Sequence, residues 1–110
     1  VLSAGYHDAY FTKAQKIRRL IQNKTNEMFK DYDFVISPTT PHTPFEIGTK
    51  HTDPTVMYLE DIFTVQANLT GNPAISIPLG KHSNSLPIGL HLMADHFKEA
   101  DLLAFSNYLS

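Results

Sequence analysis

The side chains best placed to do chemistry lie in one stretch, from Asp53 to Leu79 (DPTVMYLEDIFTVQANLTGNPAISIPL). This stretch predicts a single helix that begins at Asp53 and Pro54, ends at Gly71, and is followed by a buried strand. Four polar residues recur every three or four positions and would share one face of that helix. They are Tyr58, Asp61, Thr64 and Asn68, and they interrupt an otherwise apolar surface.

Asp61 is the candidate binding residue of this polar face. An acid on a mostly apolar helix must be either solvated or matched to a cation, so two interpretations are open. In the first, Asp61 is an exposed helix acid without a partner. In the second, its carboxylate binds an ammonium or amide N–H of a ligand. Removing one partner of a desolvated pair typically costs about 2–5 kcal/mol, whereas an exposed pair contributes only about 0–1 kcal/mol.

Other catalytic and metal-binding patterns are missing from the sequence. It has no cysteine and no G-x-S-x-G motif, and we expect Ser76 to be a small residue on a crowded sheet face rather than a nucleophile. Its five glycines stand alone, so no phosphate-binding loop is predicted. The six histidines lack a metal-ligand spacing, although His42 with His51, or His91 with His96, could meet in space. No metal site and no catalytic residue are predicted.

Composition limits the classes of partner. The 110 residues are 42% hydrophobic and 18% charged, with a net charge of −2 and no basic cluster, which is ordinary globular composition. Direct nucleic-acid binding and adhesion to an acidic membrane are not expected. The absence of cysteine fits a cytoplasmic protein, and no apolar run approaches the roughly 18 residues of a membrane span. The abrupt start at Val1 suggests a piece of a longer chain.

Hydrophobic periodicity predicts the order α-β-α-β-β-α. Helical spacing indicates a long helix over Val1–Lys30 with a solvated basic face, and Phe34–Ile36 reads as a short buried strand. A long Pro-rich loop over 38–54 comes before the central helix. We expect this loop either to be functional or to be held by structure outside the sequence.

Alternation of bulky and small residues then indicates two strands, around Ile75–Leu79 and Ile88–Leu92, joined as an antiparallel hairpin. Gly89, beside Ala74 and Ser76, would allow another backbone to approach closely. A final helix should start at Asp95 or His96 and bury one apolar side, formed by Leu102, Phe105 and Leu109.

The fold class is therefore α/β, a single unit over 1–110. The central helix is apolar nearly all round, which implies burial on several sides. A chain of this length has little with which to surround such a helix, so we infer that partner structure is missing.

Four segments carry a resemblance to a known family. They are LSAGYHDAYFTKAQKIRRLI, DFVISPTTP, DPTVMYLEDIFTVQANLTGNPAISIPLG and LPIGLHLMADHFKEADLL. Together they resemble the C-terminal part of the amidase signature family, and within it the A subunits of the glutamyl-tRNA(Gln)/aspartyl-tRNA(Asn) amidotransferases. The S-A-G-Y-x-D-A-Y opening and the M-Y-x-x-D-x-x-T-V-x-A-N-L-x-G-x-P block point to that group over the general amidases.

The resemblance implies a mixed sheet covered by helices and a reaction shared between subunits. The A subunit hydrolyses glutamine through a Ser–Ser–Lys triad, and the ammonia amidates a Glu or Asp on mischarged tRNA in a step that uses ATP and Mg. The triad blocks lie outside this sequence, so the chain alone should be inactive and bind no cofactor. Its implied partners are the rest of the A subunit, the B and C subunits, glutamine and tRNA.

The resemblance also gives Asp61 a role, because the Asp of the M-Y-x-x-D block helps to hold the substrate glutamine. Its carboxylate would pair with the α-ammonium. Gln66 stands where a Pro is usual, which predicts a straighter or longer central helix. His7, Asn72 and Leu79 also depart from the usual residues. Two other functions remain open, namely an amidase acting on a different amide and a non-enzymatic interaction module.

Overall fold

The structure, a computed structural model, describes residues 7–49 and 53–110. A π-helical turn, His7–Phe11, leads into the first of four α-helices, and three strands complete the chain. In order, the elements are α1 (Thr12–Met28), β1 (Phe34–Pro38), α2 (Pro54–Leu59), α3 (Val65–Thr70), β2 (Ala74–Lys81), β3 (Pro87–Ala94) and α4 (Glu99–Leu109). The α/β class and the element order are confirmed, with the central helix divided into α2 and α3. The predicted helix start over residues 1–6 lies outside the described residues.

The strands form one sheet in the order β1-β3-β2. Strands β2 and β3 pair antiparallel, which confirms the predicted hairpin, and β1 pairs antiparallel with the other edge of β3. Among the described strands every pairing is therefore antiparallel, so the mixed character expected for the whole family fold is not seen here. Opposite Leu92 lie Ile36 on one side and Ile75 on the other.

One face of the sheet packs against α4. Its buried cluster consists of Ile77, Leu92, Ala94 and Leu102. At the edge of this cluster the rings of Phe34 and Phe105 stack, with centroids 4.4 Å apart and planes 11° apart. The far end of β1 is not covered, because Ile36, predicted to be buried, is 53% exposed.

The opposite face packs against the first helix and α3. Successive side chains of a strand point to opposite faces, so Met93 turns away from α4 and meets Phe29 and Ala67. Side-chain hydrogen bonds reinforce this contact. The Gln66 amide donates to the buried Thr25 hydroxyl at 2.9 Å, and Arg18 Nε donates to the carbonyl of Leu69 at 2.8 Å.

Arg18 therefore departs from the solvated basic face predicted for the first helix. The carbonyls of the last helical turn have no partner within the helix and carry partial negative charge, so a guanidinium is favourable there. The Gln22 amide donates to the same Leu69 carbonyl at 3.3 Å. This helix thus docks onto the C-terminal end of α3 through two side chains.

The prediction of one continuous central helix was wrong, because residues 60–64 form tight turns between α2 and α3. The N–H groups of Glu60, Asp61 and Ile62 each donate to a carbonyl three residues earlier, as in 3₁₀ geometry. Ile62, Thr64 and Val65 are β-branched and weaken the helix here. The replacement of the usual Pro by Gln66 therefore does not give a straight helix.

The capping residues of this region were predicted correctly. Asp53 accepts hydrogen bonds from the backbone N–H of Thr55 at 3.0 Å and from its hydroxyl at 2.7 Å, and Pro54 occupies the first turn. These bonds hold the pKa of Asp53 below its usual value, the side-chain bond contributing more than the backbone bond. Gly71 ends α3 with φ 78° and donates to the Ala67 carbonyl at 2.9 Å.

Burial of the central segment on several sides was not found among the described residues. Helix α2 buries none of its residues, and α3 buries only Ala67 and Thr70. The exposed large apolar side chains of this region are Val56, Met57, Tyr58, Leu59, Ile62, Phe63 and Val65. We refer to these seven side chains as the apolar surface.

The last helix starts later than predicted. Phe97 has a positive φ of 62°, a left-handed conformation that cannot continue a right-handed helix, so the turn over residues 95–98 precedes Glu99. Leu102 is buried and Phe105 half-buried as predicted, whereas Leu109 is exposed.

Gly89 was expected to allow another backbone to approach closely, and the Thr39 N–H donates to its carbonyl at 3.0 Å. Two side-chain hydroxyls also lie close to the position that a Cβ would occupy. A Cβ at this position would lie 2.8 Å from Thr39 Oγ1 and 2.9 Å from Ser76 Oγ. Those two hydroxyls are themselves hydrogen-bonded at 2.6 Å. The absence of a side chain at Gly89 therefore makes room for the bond that ties the loop after β1 to β2.

We expect Gly89→Ala to lower the free energy of unfolding by about 1–3 kcal/mol, because the methyl group overpacks this site. Chemical denaturation of the wild type and the variant measures the difference. In a Thr39→Ala, Ser76→Ala background the two hydroxyls are gone, so the same substitution should cost clearly less. An equal cost in both backgrounds would show that the hydroxyls are not what excludes a side chain.

Candidate functional site

Asp61 lies in the turn that separates α2 from α3. Its N–H donates to the Tyr58 carbonyl at 3.1 Å. Its own carbonyl accepts from the backbone N–H groups of Thr64 at 3.0 Å and Val65 at 3.1 Å, and from the Thr64 hydroxyl at 3.1 Å. Four hydrogen bonds thus fix the backbone of Asp61 from both sides of the turn.

The Asp61 side chain is exposed, as in the first of the two interpretations, but it lies in a turn rather than on a continuous helix. Among residues 7–49 and 53–110 no hydrogen bond or ion pair reaches its carboxylate. Within the described residues its state is that of an exposed acid without a partner. Binding of substrate by Asp61 stays a prediction.

The other members of the predicted polar face do not converge on Asp61 as one stripe. Thr64 directs its hydroxyl to the Asp61 carbonyl, and the Asn68 amide donates to the Thr64 carbonyl at 3.0 Å. Both side chains thus bind the local backbone, as short polar side chains often do. Tyr58 is exposed on the preceding helix.

Glu60, directly before Asp61, has the partner that Asp61 lacks. Its Oε1 lies 2.8 Å from Nδ1 of His42, in the Pro-rich segment, which we define as residues 38–49. The Glu60 side chain is 24% exposed and that of His42 is 75% exposed. The sequence singled out His42 only as a residue that could meet His51 in space, and it did not point to Glu60 as its partner. The two residues are 18 positions apart, and no local pattern connects them.

Further hydrogen bonds tie the Pro-rich segment to the hairpin. The Thr39 N–H donates to the Gly89 carbonyl on β3 at 3.0 Å, the Thr39 hydroxyl bonds to Ser76 on β2, and the Asn84 amide donates to Thr43 Oγ1 at 3.2 Å. The segment therefore touches both strands of the hairpin, the hairpin turn and the turn that carries Asp61. Residues 38–49 are thus held by contacts within the chain, which differs from the expectation that structure outside the sequence holds this loop.

His91 is a buried titratable group on the central strand. It lies opposite Ser37 and Ser76, and only 7% of the residue is exposed. Burial lowers the pKa of its imidazole, because the charged form is poorly solvated. The hydrogen bond of Ser76 goes to Thr39 rather than to the imidazole, so these residues do not form a Ser–His nucleophilic pair.

A cavity of about 450 Å³ lies beside β1 and α4 and does not include Asp61. It is lined by Phe29, Tyr32, Asp33, Phe34, Asp95, Lys98, Asp101, Ala104 and Phe105. In the part of the chain that the structure describes, no three His, Asp or Glu side chains are grouped so as to hold a metal ion. No helix in the same residues is long and apolar enough to cross a bilayer.

The fold and the M-Y-x-x-D turn together define the class of protein. The sequence profile of the Amidase family matches residues 1–103, and the chain belongs to this family. It is 55% identical over 103 residues to the A subunit of the glutamyl-tRNA(Gln) amidotransferase of Halothermothrix orenii, covering 94% of this chain and 21% of the relative. The chain thus spans about a fifth of the length of the curated relatives it matches.

Solved structures agree with this assignment. The crystal structure of the A subunit of the glutamyl-tRNA(Gln) amidotransferase from Thermotoga maritima superposes with a TM-score of 0.85 at 44% identity, covering 94% of this chain and 22% of that one. A 6-aminohexanoate cyclic dimer hydrolase in complex with its substrate gives a TM-score of 0.78 at 25% identity, covering 98% and 24%. The fold of this chain is therefore shared by proteins that are named for different activities.

The buried histidine generates a prediction about acid stability. Its folded-state pKa lies below the ordinary 6.5, so the unfolded state binds more protons between these two values. The contribution of neutral His91 to the free energy of unfolding is then complete above about pH 6.5. It decreases as the pH falls toward the folded-state pKa. Thermal unfolding between pH 7.5 and 5.0 should show this decrease.

His91→Gln provides the control, because an amide does not titrate in this range. The slope of stability against pH should become shallower in the variant, whatever its absolute stability. The two proteins are otherwise identical, so the difference between their slopes comes from position 91. Parallel slopes would contradict a burial-lowered pKa at His91.

Proposed function

We propose that this chain is the C-terminal part of the glutamine-hydrolysing subunit of a tRNA-dependent amidotransferase. The parent enzyme would release ammonia from glutamine and use it to convert Glu-tRNA(Gln) or Asp-tRNA(Asn) into the amidated form. In this proposal the chain contributes no catalytic residue, because the Ser–Ser–Lys triad implied by the family lies outside it. Its part is to complete the fold and to supply Asp61 to the glutamine pocket.

One observation carries the proposed role of Asp61. Its carboxylate has no partner among the described residues, yet it is surrounded in sequence by members of the apolar surface, such as Tyr58, Ile62 and Phe63. A soluble domain rarely leaves so many large apolar side chains of one segment exposed unless they contact something else. A carboxylate at such a contact would be desolvated and would require a cation, which the α-ammonium of glutamine supplies.

The implied partners follow from the same proposal. The rest of the A subunit covers the apolar surface, and the B and C subunits receive the ammonia and bind the tRNA. ATP and Mg serve the amidation step in the assembled enzyme and have no site in this chain. We place the complex in the cytoplasm, with no membrane partner.

A second candidate is a family member that cleaves another amide. The superposition on the 6-aminohexanoate cyclic dimer hydrolase supports it, because the two chains share a fold at 25% identity. The higher identity to the Thermotoga maritima protein, 44%, favours the amidotransferase. A full-length protein that ignored glutamine and hydrolysed other amides would reverse this preference.

The test is Asp61→Asn in the full-length subunit that carries this sequence. If the carboxylate pairs with the α-ammonium in a desolvated pocket, its loss costs about 2–5 kcal/mol, which is a rise of roughly 30-fold or more in the KM for glutamine. The kcat should change much less, because the triad is intact. A glutaminase assay over a range of glutamine concentrations measures both.

Asp31→Asn is the matched control, since Asp31 is also an exposed acid but follows the first helix, away from the turn. It should leave the KM unchanged. A rise of less than about fivefold in Asp61→Asn would indicate a solvent-exposed interaction, and no rise would remove Asp61 from the site. The isolated 110-residue chain should hydrolyse no glutamine.

A further inference from the structure

We propose that His42 and Glu60 form a positioning pair, which holds the turn carrying Asp61 in the orientation that binds glutamine. This inference rests on the proposed role of Asp61 and gives a role to two further residues. The pair joins the Pro-rich segment to the last residue before Asp61 through the contact of 2.8 Å between His42 Nδ1 and Glu60 Oε1.

The α2 side of the turn is weakly held. Helix α2 has six residues and buries none of them, and helices this short are unstable without tertiary contacts. On the other side, the bond from the Val65 N–H to the Asp61 carbonyl joins the turn to α3, which Ala67 and Gln66 attach to the core and to the first helix. The bond from Glu60 to His42 holds the α2 side, and the two attachments together orient the turn relative to the sheet.

The Pro-rich segment is suited to act as the fixed partner. Pro38, Pro41 and Pro44 restrict the backbone around His42, so little conformational entropy is lost when the imidazole is held in place. The His42 carbonyl also accepts a bond from the Thr40 hydroxyl at 2.8 Å. The segment is attached to the sheet through Thr39 and, next to His42, to the hairpin turn through Thr43.

Charge distinguishes the two neighbouring acids. Glu60 is paired and mostly covered, whereas Asp61 is exposed and has no partner among the described residues. His42 thus binds the carboxylate that would otherwise compete with Asp61 for a ligand ammonium. The pair leaves one carboxylate, in a fixed position, for the ligand.

The experiment measures glutamine KM and kcat for variants of the full-length subunit in its complex. His42→Ala should raise the KM about two- to fivefold, the range expected for a partly exposed pair, and leave kcat unchanged. In His42→Asn the side-chain amide can occupy the position of Nδ1, so this variant should restore the KM to within about twofold of the wild type. Lys24→Ala breaks an exposed ion pair with Glu27 on the first helix, outside the Pro-rich segment, and should not alter the KM.

A double-mutant cycle separates positioning from general stability. Because the two side chains act through each other, His42→Ala combined with Glu60→Ala should raise the KM no further than Glu60→Ala alone. An additive effect, an unchanged KM in His42→Ala, or an equal rise in Lys24→Ala would each overturn the positioning role. If Asp61→Asn raises the KM and His42→Ala does not, the proposed function stands and this inference falls.

Hydrogen exchange provides a readout that does not depend on glutamine. Backbone amides of residues 60–65 should exchange faster in His42→Ala than in the wild type or His42→Asn, because the turn loses its external tie. Unchanged exchange would contradict the positioning role even if the full-length protein proved to act on a different amide. Faster exchange without any glutaminase activity would support the tie and reject the proposed function.

Discussion

Strand β3 has to bury both of its faces, and this requirement decides where the other elements lie. Leu92, Met93 and Ala94 are almost completely excluded from solvent. Because neighbouring side chains on a strand point in opposite directions, Leu92 and Ala94 require α4 on one face while Met93 requires the first helix and α3 on the other. The backbone of β3 is likewise satisfied on both edges, by β1 and β2. Strand β3, Pro87–Ala94, thus packs against buried residues of α4 and α3 and against Phe29 at the end of the first helix.

The parts of the fold that sequence could predict are those set by local periodicity. Alternation around Ile75–Leu79 and Ile88–Leu92 predicted the hairpin, because a period of two and a short connection leave few other arrangements. The pairing of β1 with the far edge of β3 could not be predicted in this way. It joins Phe34 to Ala94, across sixty positions of sequence, and no local pattern specifies such a contact.

The interruption of the central helix shows where periodicity misleads. Apolar residues spaced three and four apart fit an α-helix. They also fit two short helices joined by tight turns in which each N–H donates to the carbonyl three residues earlier. The signal for a break was the β-branched run at Ile62, Thr64 and Val65, which is weak because each such residue disfavours a helix by less than about 1 kcal/mol. Because the signal for the break was weak, the polar spacing could single out Asp61 but could not predict the turn that surrounds it. The contact between His42 and Glu60 was invisible, since side-chain pairing across a loop depends on the finished fold.

The exposure of Asp61 and its proposed role in binding are compatible, because the free energy of a carboxylate depends on what surrounds it. In water an unpaired carboxylate is well solvated and has no need of a partner. Once a larger protein covers the apolar surface, water is excluded from the same region and the effective dielectric falls, so an unmatched charge becomes expensive. Binding an ammonium then removes that cost. The affinity for the ligand therefore derives from the apolar contacts that created the cost. The apolar residues flanking Asp61 would therefore determine how strongly glutamine binds, although their side chains carry no charge themselves.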